Sequence, residues 1–287
     1  MTDGRTGAEP GTEAVPFTRR AEDRRRRVVR VAAVGDFHCG EKDGGLYRDL
    51  FARANEEADI LLLAGDLTRR GTPAEIAVVI GELADVRIPI LAVLGNHDHE
   101  SGHVDEVNAA LRGRGVHLLE EAPFELNEHV GFAGIKGFMG GFGRYTLTAF
   151  GEAETKAFVG TTLEEIQKLE FSLRRLSTEI RVVLMHYSPV LDTVKGEPEQ
   201  ILPFLGNDRM AEPIDRFQAA VVFHGHAHHG TFAGRTPGGV PVFNVSLVRV
   251  REDAGHDMFY LHEIELPRGE FRSEREPGTG KPATANA

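Results

Sequence analysis

Through the first third of the chain, apolar runs of strand length alternate with stretches in which apolar residues recur at helical spacing. Val28 to Val34 is β-branched and apolar, which predicts a buried strand. Leu46, Leu50, Phe51 and Ala54 fall on one face of a helix running to Ala58, and Ile60 to Ala64 predicts a second buried strand. Pro73 to Leu83 predicts a helix with Thr72 as its N-cap and Pro73 at its first position, where no N–H is needed. Ile88 to Leu94 predicts a third strand and Val104 to Leu111 a third helix. This βαβαβα order is the pattern of a parallel sheet covered by helices.

The second half changes character. Short strands are predicted at Phe124 to Leu126, Val130 to Ile135, Val182 to Met185, Ala220 to Phe223, Val242 to Val245 and Met258 to Ile264, with one long helix from about Leu163 to Leu176. Many short strands after a βαβ half point to a second sheet packed on the first, all within one domain over residues 28–268. Residues 1–27, ending in Arg24-Arg25-Arg26-Arg27, and residues 269–287 carry few large apolar groups and read as disordered tails. The glycine and aromatic segment from Lys136 to Tyr145 lacks the helix start that a phosphate-binding glycine fingerprint requires. It reads equally as a substrate-facing lid or as a surface loop, and the loop from Leu191 to Arg209 is a second candidate for shaping a pocket.

Composition narrows the function classes. The 287 residues are 41% hydrophobic, yet no apolar run approaches the ~20 residues of a membrane helix, and no signal-type stretch follows the N-terminal charges. A cytoplasmic protein is therefore expected. One cysteine, Cys39, excludes an intrachain disulfide or a multi-cysteine metal site and reads as a packed or half-exposed thiol beside His38. The formal charge of −11 argues against sequence-independent binding of nucleic acid and leaves a small phosphorylated substrate as the more compatible partner. The oligomeric state stays open.

Five predicted strands end on, or one glycine before, Asp, Asn or His: Asp36-Phe37-His38, Gly65-Asp66, Gly95-Asn96-His97-Asp98, His186, and Gly225-His226-Ala227-His228. The carboxyl ends of strands in an open α/β sheet share one crevice, so ligands distant in sequence converge there. Asp36 and His38 are one residue apart and leave an extended chain on the same side, which permits chelation of one ion. Asp66 has two oxygens and can join two cations ~3.5–4 Å apart. Asn96 offers a neutral oxygen, and His97 is suited to protonate a leaving alkoxide. His226 and His228 point the same way, while His224 and His229 flank them as supporting or exposed residues.

These motifs, in this order, resemble the calcineurin-like metallophosphoesterases, whose pattern runs Asp-x-His, Gly-Asp, Gly-Asn-His-Asp/Glu, His and Gly-His-x-His. The resemblance spans residues 36–228 and implies an α/β fold, a four-layer αββα sandwich of two mixed sheets flanked by helices. It implies that Asp36, His38, Asp66 and His228 hold one metal ion, and that Asp66, Asn96, His186 and His226 hold the other. The ions would be Mn, Fe or Zn, divalent or trivalent. The reaction implied is hydrolysis of a phosphoester by water activated between the cations, with His97 as leaving-group acid and Asp98 as a further catalytic residue.

Departures from subfamily patterns bear on the substrate. The stretch Gly65-Asp66-Leu67-Thr68-Arg69-Arg70-Gly71 lacks the second Asp, followed by Arg, of protein serine/threonine phosphatases, and Leu94 precedes Gly95. His99-Glu100 replaces the acidic residue and Arg that bacterial cyclic-nucleotide phosphodiesterases often carry after Asp98, and Tyr187 follows His186 where Mre11-type nucleases pair histidines. His224-x-His226-x-His228-His229 superficially resembles the metallo-β-lactamase signature, but that reading leaves Asp36, Asp66 and Asn96 without purpose. A non-catalytic scaffold would have lost ligands, and none is missing. The expected activity is a phosphodiesterase on a small phosphodiester, with nucleotides among the candidates and phosphomonoesterase activity as the alternative.

Overall fold

The computed structural model describes residues 28–253 and 258–267. The tails expected at 1–27 and 269–287 lie outside these residues, and the residues from Val28 to Ile264 group as one unit.

The first sheet has the order β11-β1-β2-β3-β4, with β1 at Val28–Val34, β2 at Ile60–Ala64, β3 at Ile90–Val93, β4 at His117–Leu118 and β11 at Tyr260–Glu265. From β1 to β4 the pairing is parallel. Parallel strands need crossovers, and three helices supply them: α1 (Arg48–Glu57), α2 (Pro73–Glu82) and α4 (Val104–Arg114). The short α3 (Asn96–His99) follows β3 directly. Ala32 and Val34 of β1, Leu61 and Leu63 of β2, and Ala92 of β3 pack with Phe51, Ile76, Val79 and Leu111 of these helices. The intervening residues, such as Val31, Ala33, Leu62 and Leu91, are equally buried on the other face. Burial on both faces explains why these strands read as continuous apolar runs.

The second sheet has the order β5-β6-β7-β8-β10-β9, with β5 at Phe124–Glu125, β6 at Val130–Ile135, β7 at Ile180–Met185, β8 at Val221–His224, β9 at Ala233–Arg235 and β10 at Pro241–Asn244. Its centre, β6-β7-β8-β10, is parallel, and its two edge pairs are antiparallel. Ala133, Ile135, Val183, Met185 and Val222 pack with Leu169, Leu173 and Ile214 of α5 (Ala153–Arg175) and α6 (Ala211–Arg216). Strands β2 and β3 face β6 and β7, so the order of layers is helix, sheet, sheet, helix. At Gly134 of β6 the approach is close: a Cβ there would lie 2.8 Å from the Cβ of Leu119.

The structure departs from the expected elements in three ways. Strand β11, expected in the second sheet, returns to the first and pairs with β1. Helix α5 begins ten residues before the predicted Leu163, and α3, α6, β4, β9 and a final helix α7 (Leu247–Asp253) were not predicted. Helix α2 has the predicted cap as a full capping box: the Thr72 hydroxyl accepts the Glu75 N–H at 3.2 Å, and the Glu75 carboxylate accepts the Thr72 N–H at 3.3 Å. Thr72→Ala is expected to lower stability by about 1 kcal/mol, measured as an earlier urea midpoint with an unchanged slope.

Candidate metal centre

Asp36 and His38 follow β1, Asp66 follows β2, and Asn96 and His97 open α3 beyond β3; His186 follows β7, and His226 and His228 follow β8. The same end of both sheets thus delivers these eight residues to one place. The loops after β1 and β2 stay in step beyond the sheet, since Asp36, His38 and Cys39 donate their N–H groups to the carbonyls of Gly65, Asp66 and Leu67. The second sheet joins at the same level, where Gly35 donates to the carbonyl of Val245 at 2.9 Å.

The backbone here is strained. Among the described residues, five non-glycine positions have positive φ, and four of them are Asp36 (55°), His38 (42°), Asp66 (50°) and His226 (72°). Each such residue costs on the order of 1–3 kcal/mol and persists only where its surroundings over-determine it. Two glycines make the approach of the loops possible: a Cβ on Gly95 would strike the carboxylate and N–H of Asp66, and one on Gly225 would strike the carboxylate of Asp36. These contacts give a steric reason for glycine before Asn96 and before His226.

Five of these side chains are braced from behind. The Asp36 carboxylate accepts the His226 N–H at 2.9 Å, and that of Asp66 accepts the His97 N–H at 2.8 Å. The Nδ1–H of His186 donates to the Ala64 carbonyl across the two sheets at 2.9 Å, and Nε2–H of His226 donates to the Phe204 carbonyl at 3.1 Å. The Nδ1–H of His97 donates to the Arg69 carbonyl at 2.8 Å. The bonds at His186 and His226 fix which ring nitrogen donates and leave the other as an acceptor, while the bond at His97 fixes the ring and leaves Nε2 for proton exchange.

The acceptor atoms converge. Donors of Asp36, His38 and His228 lie within 4.8 Å of one another, as do those of Asp66, His186 and His226, and those of His38, Asp66 and His97. His228 Nε2 is 3.1 Å from Asp36 Oδ1 and 3.4 Å from His38 Nε2. His186 Nε2 is 2.9 Å from Asn96 Oδ1 and 3.5 Å from Asp66 Oδ1. Ligands bound at about 2.1 Å sit roughly 3.0 to 3.4 Å apart at octahedral to tetrahedral angles, and these spacings match.

Electrostatics points the same way. Burial raises the Asp66 carboxyl to about 9, and the nearby charges of Asp36 and Asp98 add to the effect. Burial opposes ionisation of Asp36 too, but its bond to His228 and the fields of His186, His228 and His38 hold it below the usual carboxylate range. Burial, then the field of His226, pushes His186 well below its ordinary value. A neutral His186 that donates from Nδ1 turns the lone pair of Nε2 toward the Asn96 oxygen. Two acceptors 2.9 Å apart repel each other unless a cation lies between them. The donor set therefore fits cations of the Mn, Fe or Zn type.

Other residues fall behind the centre. Asp98, expected at the chemistry, is fully buried, and its carboxylate accepts from Thr68 N–H at 2.9 Å, the Thr68 hydroxyl at 2.6 Å and Gly95 N–H at 2.9 Å. It braces the Asp66 and Asn96 loops and does not face a reacting group. His224 is buried against the Gly225 carbonyl and the Thr193 hydroxyl, while His229 is exposed. Cys39 packs into the core of the first sheet, where burial, followed by Asp43, Glu82 and Glu75, pushes its thiol up to about 12. The carbonyls of Ala64, Arg69 and Phe204 escaped the sequence reading because any residue supplies a carbonyl, and only the fold aims it.

A family model described as calcineurin-like phosphoesterase matches residues 29–230. The chain belongs to this family. Phosphopantetheinyl hydrolase from Mycobacterium tuberculosis is a structural neighbour with a TM-score of 0.60 and 16% identity, covering 86% of this chain and 98% of that one. A curated relative from Fibrobacter succinogenes, described as a probable cyclic nucleotide phosphodiesterase, is 26% identical over 84 residues, covering 26% of this chain and 32% of the relative. This chain thus spans about a third of that relative's length. The description of the matching family is that of a phosphoesterase. No helix among the described residues is long and apolar enough to cross a membrane.

Cations bind the ionised carboxylate, and the Asp66 carboxyl, raised to about 9, holds its proton at neutral pH. Mn²⁺ binding is therefore expected to release on the order of one proton per chain, and affinity should rise between about pH 6 and pH 8. Titration calorimetry in two buffers of different ionisation enthalpy counts the protons, and a count of zero would contradict the electrostatic account.

Proposed function

We infer that the protein is a dinuclear metal-dependent phosphodiesterase. The observation that carries this reading is the pair of buried carboxylates, Asp36 and Asp66, each within reach of histidine nitrogens from both sheets. Asp36, His38, Asp66 and His228 would hold one cation, and Asp66, Asn96, His186 and His226 the other, with Asp66 shared. Cations held there supply positive charge to the phosphoryl oxygens and activate water for attack on phosphorus.

The chain's own groups perform the remaining work. His97 is partly exposed, stands edge-on to His38 with ring centroids 4.7 Å apart, and is fixed by the Arg69 carbonyl. When the ester P–O bond breaks, the leaving oxygen takes its proton from His97. Asp98 holds the loops that carry Asp66 and Asn96, so the donors need little reorganisation during the reaction.

Preference for a diester rests on the neighbouring cations. Arg69 is paired with Asp43 at 3.1 Å, and Arg249 donates to the His228 carbonyl at 2.8 Å and to Asp253 at 3.0 Å. Both are engaged with the protein, so the second negative charge of a monoester would meet no spare guanidinium from either. The 84-residue likeness to a relative described as a probable cyclic nucleotide phosphodiesterase agrees with a diester.

The test is to strip the protein with chelator, restore Mn²⁺, and compare chromogenic phosphate diester and monoester, with Asp66→Asn as control. Faster turnover of the diester is expected, together with metal loss in the control. His97→Ala is expected to lower kcat about 10²- to 10⁴-fold with metal content intact. Loss of metal in His97→Ala would make His97 a ligand and overturn its role as acid.

A further inference from the structure

Among the described residues, nine large hydrophobic side chains are exposed, and six of them lie on two loops beside the metal centre: Tyr145, Leu147, Phe150, Leu191, Ile201 and Phe204. Scattered exposed apolar residues need no explanation, but a concentration of them marks a contact surface. Between the two loops lies a cavity of ≈ 410 Å³ lined by Phe142, Tyr145, Leu191, Glu199, Leu202 and Pro203. Its size falls within the roughly 300–1,000 Å³ of small-molecule sites.

The cavity is built onto the metal centre. Phe142 and Leu202 pack with Leu205 and with Ala227, the residue between His226 and His228. The Phe204 carbonyl, one residue beyond Pro203 of the cavity wall, accepts the Nε2–H of His226. The loops are also tied to each other: Gly140 donates to the Pro203 carbonyl at 2.8 Å, Gly141 donates to that of Gly206 at 2.9 Å, and the Thr146 hydroxyl donates to Asp208 at 3.0 Å. On the phosphodiesterase reading, a group seated here is the organic part of an ester whose phosphoryl group lies at the candidate metal residues.

The wall chemistry says what that group is. A nucleobase presents a rim of donors and acceptors, and a site that reads it leaves matching polar groups on its walls. Here Glu199 is the one charged lining residue, and the Tyr145 hydroxyl, which accepts from the neighbouring Arg144, is the one other polar side-chain group. The remaining walls are Phe, Leu and Pro.

We propose that the organic part of the substrate is an unbranched apolar chain, seated between the two loops, so that the protein cleaves phosphodiesters carrying an alkyl or acyl group. This rests on the phosphodiesterase reading above and names its substrate class. Apolar burial is additive along a chain, each fully buried methylene contributing about fourfold in binding.

The test uses Mn²⁺-loaded enzyme with methyl, butyl and octyl 4-nitrophenyl phosphate, below their aggregation concentrations, and thymidine 5′-(4-nitrophenyl phosphate) as the nucleobase arm. kcat/KM is expected to rise about tenfold or more from methyl to octyl. Leu191→Asp and Tyr145→Ser, both at exposed positions that tolerate polar residues, should flatten that slope. A flat series in the wild type, an undiminished slope in both variants, or a thymidine ester cleaved tenfold faster than the octyl ester would each overturn the proposal while leaving a phosphodiesterase. No turnover of any ester by metal-loaded enzyme would instead fail the phosphodiesterase reading itself, and the chain proposal with it.

Discussion

Asp36 and Asp66, two carboxylates almost fully buried and within each other's field, are the constraint on which the rest of the structure depends. Burying one unpaired charge is costly, and burying two of the same sign without compensation is prohibitive. The chain compensates from two directions. Backbone N–H groups of His226 and His97 reach the carboxylates, and histidine nitrogens surround the space that a cation would fill. The same bonds also join the molecule, because the His226 N–H comes from the second sheet and its acceptor Asp36 from the first. Much of the registration between the two sheets therefore passes through the site, and left-handed backbone at Asp36, His38, Asp66 and His226 is tolerable because these bonds fix it from several sides.

Parallel strands are what make such a centre available. All strands of a parallel run end at one edge, so β1, β2 and β3 from one layer and β7 and β8 from the other present their following loops to a common crevice. Small residues then decide how near the loops come. Gly95 lies against Asp66 and Gly225 against Asp36, each closer than any side chain allows. Deep burial of a carboxylate and the glycine beside it are one feature seen from two residues.

The fold and the donors differed in how legible they were. Buried strands such as Ile60–Ala64 announce themselves because both faces are covered, and the donors announce themselves because each stands at the end of such a run. Helix α5 was half hidden: its buried stripe includes Thr162, Glu165 and Ser172, and a stripe containing polar residues weakens the apolar period. Two of these are explained only by tertiary structure, since Thr162 donates to the Met139 carbonyl and Glu165 accepts the Gly137 N–H. Strand β4 is two residues long and carries too little pattern to read. The sheet that β11 joins is a matter of topology, on which its own residues are silent. Asp98 misled for a related reason: a carboxylate beside Asn96 and His97 looks catalytic until the fold turns it onto Thr68 and Gly95.

The glycine and aromatic segment is tied to the loop beside it rather than standing free. Its glycines hold positive φ at Gly137, Gly140, Gly141 and Gly143, and this lets the backbone lie along the loop after β7 and bond to it. What looked from sequence like either a lid or a plain surface loop is hydrogen-bonded at several points to residues 203–208. Cations held by the residues at the strand ends would contact only the phosphoryl group of an ester, which is common to all phosphoesters. Discrimination must then come from walls that touch the rest of the substrate, and near this centre those walls are two tied loops. Loops fixed to each other keep the shape of an apolar surface that would otherwise collapse on itself, so in the proposed reading their bonds to each other preorganise the wall that a substrate chain would meet.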